Sequence, residues 1–410
     1  MRTLKFNYYD EFACTGPECE DSCCKHWMIL LTKREYLDYK KLDCSPELKS
    51  IIDSAFKRKK DGTDLAYAQM ALKEDGSCPF LGEDKLCRLQ KEKGESVLTH
   101  VCSVFPRHWQ VIGTDAAVFT LSPTCYHVVE LLMQHPEGLV LTEDELDIKN
   151  PSASKILSKS NYLPTDSEMY PYIWTIKTAQ IDILQNRNFT IPERLLILGY
   201  YTQKASEYLE NSPEKLEPLS SMMMDTELIR KIADSLKVKQ TDVQSASKSA
   251  NILFKVIEYM RRAYPDLHTT KLLNIIAEKT GLIFEPNDKG EYDISVDFGK
   301  LSQNFEVYSE IEADRPYLIE NLLVNQAFMT FSAERKNLWQ DYFSLVILYN
   351  FLQFYTNAFL SENYTDKELA MAITYMVKIL INARVAETIV MNDFTGTGTN
   401  SLSHVAFLIN

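Results

Sequence analysis

The chain has 410 residues, more than one hydrophobic core ordinarily fills, so two domains are the default expectation. Hydrophobic residues make up 45% and charged residues 25%, which excludes a disordered chain, and a net charge of −13 argues against an extended nucleic-acid surface, because phosphates require a basic stripe. An acidic surface is suited instead to a basic partner such as a lysine side chain on another protein.

Residues 1–11 predict a short strand or extended arm, with Tyr8 and Tyr9 free to pack beside it. This opening has no apolar core of signal-peptide length and no small-residue cleavage site, so a cytoplasmic protein is expected. Next comes Phe12-Ala-Cys-Thr-Gly-Pro-Glu-Cys-Glu-Asp-Ser-Cys-Cys24, then an apolar run of strand length over 27–31. Thr32 starts a helix through Lys41, and Ser45-Pro46-Glu47 opens another, since Ser caps and Pro fits the first helical position. The basic run at 57–60 reads as a solvated helix end. Gly76 and Pro79 place Cys78 in a turn, and 82–85 is a loop leading to Cys87. Ser122-Pro123 puts Cys125 in the first turn of a helix that runs to about Gln134.

From about 143 to 170 the composition turns polar, and residues 141–164 are expected to connect two domains. Beyond them the apolar spacing is helical, at 172–184, from Pro192 onward, and near 213–220, 225–236, 242–263, 269–280, 314–330, 335–360 and 365–392. Residues 290–297 predict a loop or brief strand. The most apolar window, 342–355, is interrupted by Ser344, Asn350 and Gln353 and reads as a buried helix rather than a membrane span. The expected fold is therefore mainly α: a small cysteine-rich α+β metal-binding domain over 1–140, followed by a larger helical domain over 165–410.

All nine cysteines lie before residue 126. In a reducing compartment, dense cysteines point to metal or redox chemistry rather than disulfides. Cys44 stands apart and is read as a small buried hydrophobe. That leaves Cys14, Cys19, Cys23, Cys24, Cys78, Cys87, Cys102 and Cys125 as metal-ligand candidates, enough for one or two soft-metal centres. Their dispersed spacing favours an iron–sulfur cluster, with zinc as the alternative. His26 and His108 are read as packing or hydrogen-bonding residues, and Arg107 as a cation able to offset the charge of a cluster.

The Cys-Glu-Asp-Ser-Cys-Cys start, the Cys78-Pro-Phe-Leu…Leu-Cys-Arg-Leu middle and the Cys102-x-x-Phe-Pro-Arg107 end resemble the flagellin lysine-N-methylase family, FliB. They also resemble the broader YkgJ group of zinc- or iron-chelating domains with eight cysteines. Weaker similarity continues at Arg194-Leu-Leu-Ile-Leu-Gly199 and Glu320-Asn-Leu-Leu-Val-Asn325. The resemblance implies methyl transfer from S-adenosylmethionine to flagellin lysines, with an iron–sulfur cluster, a 4Fe–4S centre foremost, held by the cysteine region. It assigns no catalytic residue and no donor site.

Methyl transfer needs a neutral amine in line with the sulfonium methyl, and groups that orient and deprotonate that amine. The glycine-containing stretch 393–399 lies too near the chain end to complete a Rossmann unit, so it is read as a tail or turn. Two further functions compete with an enzyme: a non-catalytic metal- or cluster-binding accessory protein, and a redox protein that needs an exposed thiol of low pKa.

Overall fold

The computed structural model describes residues 1–25, 29–148, 156–157, 160–236, 282–286, 292–297, 306–334, 337–361 and 363–382, with Leu402, Val405 and Ile409. His26 and Trp27, the helices expected at 242–263 and 269–280, and the stretch 393–399 lie outside these residues. The described chain is mainly helical, with its strands concentrated in the first 163 residues.

Strand β1 (Arg2–Phe6) begins the chain, and the cysteine loop follows it. A small unit comes next: β2 (Leu30–Leu31), α1 (Lys33–Lys41), α2 (Pro46–Ser54), β3 (Phe56–Arg58), β4 (Ala68–Met70) and α3 (Arg88–Lys93). Both predicted helix starts form as their chemistry dictates. Thr32 and Glu35 make a reciprocal capping box, and Ser45 caps α2 ahead of Pro46. The basic run is not a helix end: Lys57 and Arg58 belong to β3, where they stay exposed, and Arg58 covers the Tyr67 ring. The unit has its own core, built on Leu31, Tyr39, Ile52, Met70 and Phe80, with Tyr39 stacked on Phe56 at 5.0 Å.

Helix α4 (His100–Val104) leads into the hairpin of β5 (Arg107–Ile112) and β6 (Ala116–Leu121). Gly113 turns the hairpin at φ +61, a region other residues rarely adopt, and the Tyr170 ring covers it so closely that a Cβ there would collide with a ring carbon. After α5 (Tyr126–Met133) come β7 (Leu141–Glu145) and β8 (Asn161–Leu163). The sheet has the order β7-β1-β6-β5-β8, with β1 parallel to β6 and β8 parallel to β5. Residues 141–164, expected to be a connection, thus supply both sheet edges. Their polarity suits that place, since charged, exposed edge strands resist further pairing. In β6 the strand alternation appears in two cores: Ala116 and Val118 face the larger one, while Ala117 and Phe119 face a small cluster on the other side.

The helical part comprises α6 (Ile173–Leu184), α7 (Ile191–Asn211), α8 (Leu216–Met222), α9 (Thr226–Leu236), the hairpin β9 (Leu282–Pro286) and β10 (Tyr292–Val296), then α10 (Glu306–Asp314), α11 (Pro316–Met329), α12 (Leu338–Phe359) and α13 (Asp366–Asn382). Helices α11 and α12 are buried on nearly every face, which is why the 342–355 window is so apolar. Among the described residues, no helix is long and apolar enough to cross a membrane. Helices α7 and α12 approach closely at Gly199, where a Cβ would meet the Tyr342 hydroxyl at 2.5 Å. One apolar core runs from Leu4, Phe6 and Tyr8 through α5 and all the long helices, so β1 and β6 share a core with the C-terminal helices across residues 141–164.

Candidate functional site

Buried polar contacts fix the seam between the sheet and the helices. Asn325 of α11 accepts from the Tyr8 hydroxyl at 2.5 Å and donates to the Leu121 carbonyl at 3.1 Å. One turn earlier, Asn321 donates to the carbonyls of Leu132 at 3.0 Å and His135 at 2.9 Å, which gives the end of α5 partners it would otherwise lack. Glu320 accepts from Arg194 at 2.7 Å and from Arg187 at 2.9 Å. The two C-terminal sequence blocks noted above therefore meet in a buried ion pair.

The thiols converge on the same seam from two sides. Cys19 and Cys125 pack against the larger core, whereas Cys24, Cys78, Cys87 and Cys102 pack around the small one, as does Cys44. Backbone pairing explains the second group. The Cys78 N–H donates to the Cys24 carbonyl at 2.8 Å, and the Arg88 N–H to the Phe80 carbonyl at 2.8 Å, which draws Cys24, Cys78 and Cys87 into one set of turns. Thr99 caps α4 by accepting from the Cys102 N–H at 3.2 Å. Cys23 lies between the groups, hydrogen-bonded to Cys24 and in electrostatic reach of Cys19, Cys87, Cys102 and Cys125. Cys14 is exposed where the loop begins.

Burial pushes the Cys78 and Cys102 thiols up to about 11 and Cys125 to about 12, and it raises Cys19 and Cys87 as well. Cys23 is raised first by its hydrogen bond with Cys24. These shifts run against the low thiol pKa that a dithiol redox protein needs. Lys378 of α13 acts on Cys23 as a nearby cation, while Arg107 lies over the Phe12 ring and donates to the Phe12 carbonyl at 3.4 Å. Among the described residues, no group of three or more His, Cys, Asp or Glu is placed to hold a metal ion. The donor chemistry suits a soft metal, but these thiols are neighbours without being a coordination set.

A cavity of about 410 Å³ lies on the other side of α4. Its apolar wall comes from Val101 and Val104 of α4, Phe105 and Pro106, Met329 of α11, Ile347 and Leu348 of α12, and Val377 and Leu380 of α13. Its polar groups are His100, Arg107, His108, Ser122, Gln326, Thr330 and Ser344, and no described Asp or Glu lines it. The His100 N–H donates to Glu35 at 2.7 Å, which ties α4 back to the α1 cap, and His108 Nε2 is hydrogen-bonded with Asn161 at 2.9 Å. The size and the apolar wall with a few polar groups are those of a small-molecule site. Sequence reading named Arg107 and His108 but not the cavity. Its one visible signal was Ser344, a polar residue inside the most apolar window.

The long helices close over the five-stranded sheet, the cysteine loops flank it, and a ligand-sized cavity lies between α4 and α11, α12 and α13, an arrangement suited to a binding or catalytic protein. The FliB lysine N-methylase C-terminal domain family matches residues 178–407, more than half of the chain, and the protein belongs to the FliB lysine N-methylase family. The chain is 33% identical over 142 residues to the lysine-N-methylases of Salmonella typhimurium and Salmonella choleraesuis, covering 33% of this chain and 33% of each relative. It is also 33% identical over 142 residues to the flagellar biosynthetic protein FliU of Salmonella muenchen, 33% of this chain and 79% of that relative. The match thus spans about a third of the length of the lysine-N-methylases. No solved structure matches the chain.

Proposed function

We propose that this protein is a cytoplasmic protein-lysine N-methyltransferase that takes its methyl group from S-adenosylmethionine and acts on flagellin. The observation that carries this reading is the cavity at the seam, whose walls come jointly from the Cys102–Arg107 block and from α11, α12 and α13 of the family domain. Its volume lies in the range of small-molecule sites. The apolar wall would pack against a purine and exclude water from the transferring methyl group, and Arg107 and His100 offer hydrogen-bond donors to the carboxylate of S-adenosylmethionine. No described carboxylate lines the cavity to stabilise an ammonium, which favours loss of the proton, and the acceptor lysine reacts there as the neutral amine. Its lone pair forms the C–N bond as the C–S bond breaks, and the electron pair passes to sulfur.

Cys14, Cys19, Cys23, Cys24, Cys78, Cys87, Cys102 and Cys125 are proposed as the candidates from which an iron–sulfur cluster, the 4Fe–4S type foremost, would take its four ligands. Such a cluster would supply a structural crosslink and an electron-transfer centre to the seam.

The test is incubation of the whole protein with labelled S-adenosylmethionine and flagellin, beside the Leu348→Trp variant, which fills the cavity. Label on flagellin lysine from the wild type, with donor binding lost in a folded Leu348→Trp protein, is the expected result. Donor-independent behaviour and no label from anaerobically prepared wild type would leave a non-catalytic accessory protein as the function.

A further inference from the structure

Behind the large cavity, between α6, α11 and α12, lies a chamber of about 10 Å³. That is room for one water molecule. Lys177 and Gln180 of α6 line it, with Gln326, Thr330, Asp341 and Ser344. Gln180 is 3% exposed, and its Oε1 has no hydrogen-bond partner among the described residues. A buried amide oxygen without a partner beside a water-sized polar space is the signature of an ordered water.

Lys177 is 4% exposed, and its Nζ donates to the Ala327 carbonyl at 2.8 Å and stands 5.1 Å from the centre of the Phe331 ring. The groups that face it are few. From α11 come the Ala327 carbonyl, with Phe331 just beyond; from α12 comes Asp341, which accepts from the Ser332 hydroxyl; from its own helix comes Gln180. Burial holds the amine down at about 8, with Asp341 opposing. Gln326, Thr330 and Ser344 line both the chamber and the large cavity, so the two spaces are one side-chain layer apart.

We propose that Lys177, Gln180 and one water held between them form a proton-accepting site behind the inner wall of the large cavity. The role rests on reading that cavity as the place of methyl transfer. The incoming lysine ammonium gives a proton to a hydroxyl of the shared layer, Thr330 or Ser344, which passes its own to the chamber water as that water gives one to the Lys177 lone pair. The substrate nitrogen is left neutral and able to attack the sulfonium methyl. Lys177, now an ammonium still donating to Ala327, returns its proton to solvent through the large cavity when the products leave.

The experiment uses the full chain. Lysine side-chain NMR, with the Lys177 signal assigned by its loss in Lys177→Met, reads the titration of the amine in wild type and in Gln180→Leu. A high-resolution crystal structure reads the water. Expected are a Lys177 titration near pH 8 that moves in Gln180→Leu, and a water within hydrogen-bond reach of Gln180 Oε1. In turnover, Lys177→Met is expected to lower kcat about a hundredfold at pH 8 with the donor KM unchanged, and to remove the limb near pH 8 from the pH–rate profile. A dry chamber, an ordinary lysine titration, or a Lys177→Met enzyme with the wild-type pH profile would overturn the proposal. Should Lys177→Met not fold, the titration is assigned with Lys177→Arg, and wild type against Gln180→Leu decides. A wild type that titrates near 8 and holds the water, yet transfers no methyl group, upholds the proton site and sinks the methyltransferase reading instead.

Discussion

Lys378, near the end of α13, is ion-paired with Asp21, which lies midway between Cys19 and Cys23. The last described helix of the family domain therefore grips the loop that carries the first cysteine block. Asp21 is 9% exposed and shielded by its surroundings, whereas the nearby pair of Lys367 with Glu20 lies at the surface.

Lys378→Met is expected to destabilise the loop by about 2 kcal/mol, because it leaves a nearly buried carboxylate without its cation; partial exposure of Lys378 keeps the cost below that of a fully buried pair. Pulsed alkylation checks this: Cys19 and Cys23 should react faster in Lys378→Met, and at the wild-type rate in Lys367→Met.

Glu320→Gln is expected to cost about 3–5 kcal/mol in denaturant unfolding, since Arg194 has a side chain only 6% exposed and would be left as a buried, uncompensated charge. Replacement of Arg187, which is 45% exposed, should cost well under half of that.

The pH dependence of stability isolates Lys177. Its folded-state pKa lies at about 8, below the ordinary 10.5, so the unfolded chain binds the extra proton between these values and stability rises with pH across that window. Below pH 8 both states are charged and the burial penalty is complete; above 10.5 both are neutral and it vanishes. Relative to Lys177→Met, the wild type should gain about 3 kcal/mol between pH 8 and 10.5. Parallel stability curves for the two proteins would count against a buried, titrating amine.

Anaerobic preparation should yield iron and acid-labile sulfide in the wild type and in Cys44→Ser, and deplete both in Cys23→Ser. Cys44 packs beside the small core, while Cys23 lies among the converging thiols. Metal analysis of the three proteins side by side decides it; equal losses in both variants would overturn the assignment of roles.

Much of the helical part was legible because its signals are local. Pro192, two residues after the cap Thr190, marks the start of α7, and the expected stretches at 225–236, 314–330 and 335–360 correspond to α9, α11 and α12 within a few residues. Helix α10 lies outside the expected helical stretches. The β5–β6 hairpin was also missed, although Gly113-Thr-Asp115 between two apolar runs carries its signal. Residues 141–145 and 161–163 look like a linker because edge strands are built to look polar. The cavity depends on residues about 220 positions apart in the chain, such as Val104 and Met329. No spacing rule reaches that far.

Helix α4 is only five residues long, and it has a task on each side. Val101 and Val104 wall the cavity, while Cys102 between them packs with the thiols. A single helical turn has no slack in which to move one residue and leave its neighbours behind. A metal that drew Cys102 toward it would therefore reshape the cavity wall, and a ligand that filled the cavity would bias Cys102. Thermodynamic reciprocity makes the two effects equal: the factor by which metal loading changes ligand affinity is the factor by which the ligand changes metal affinity.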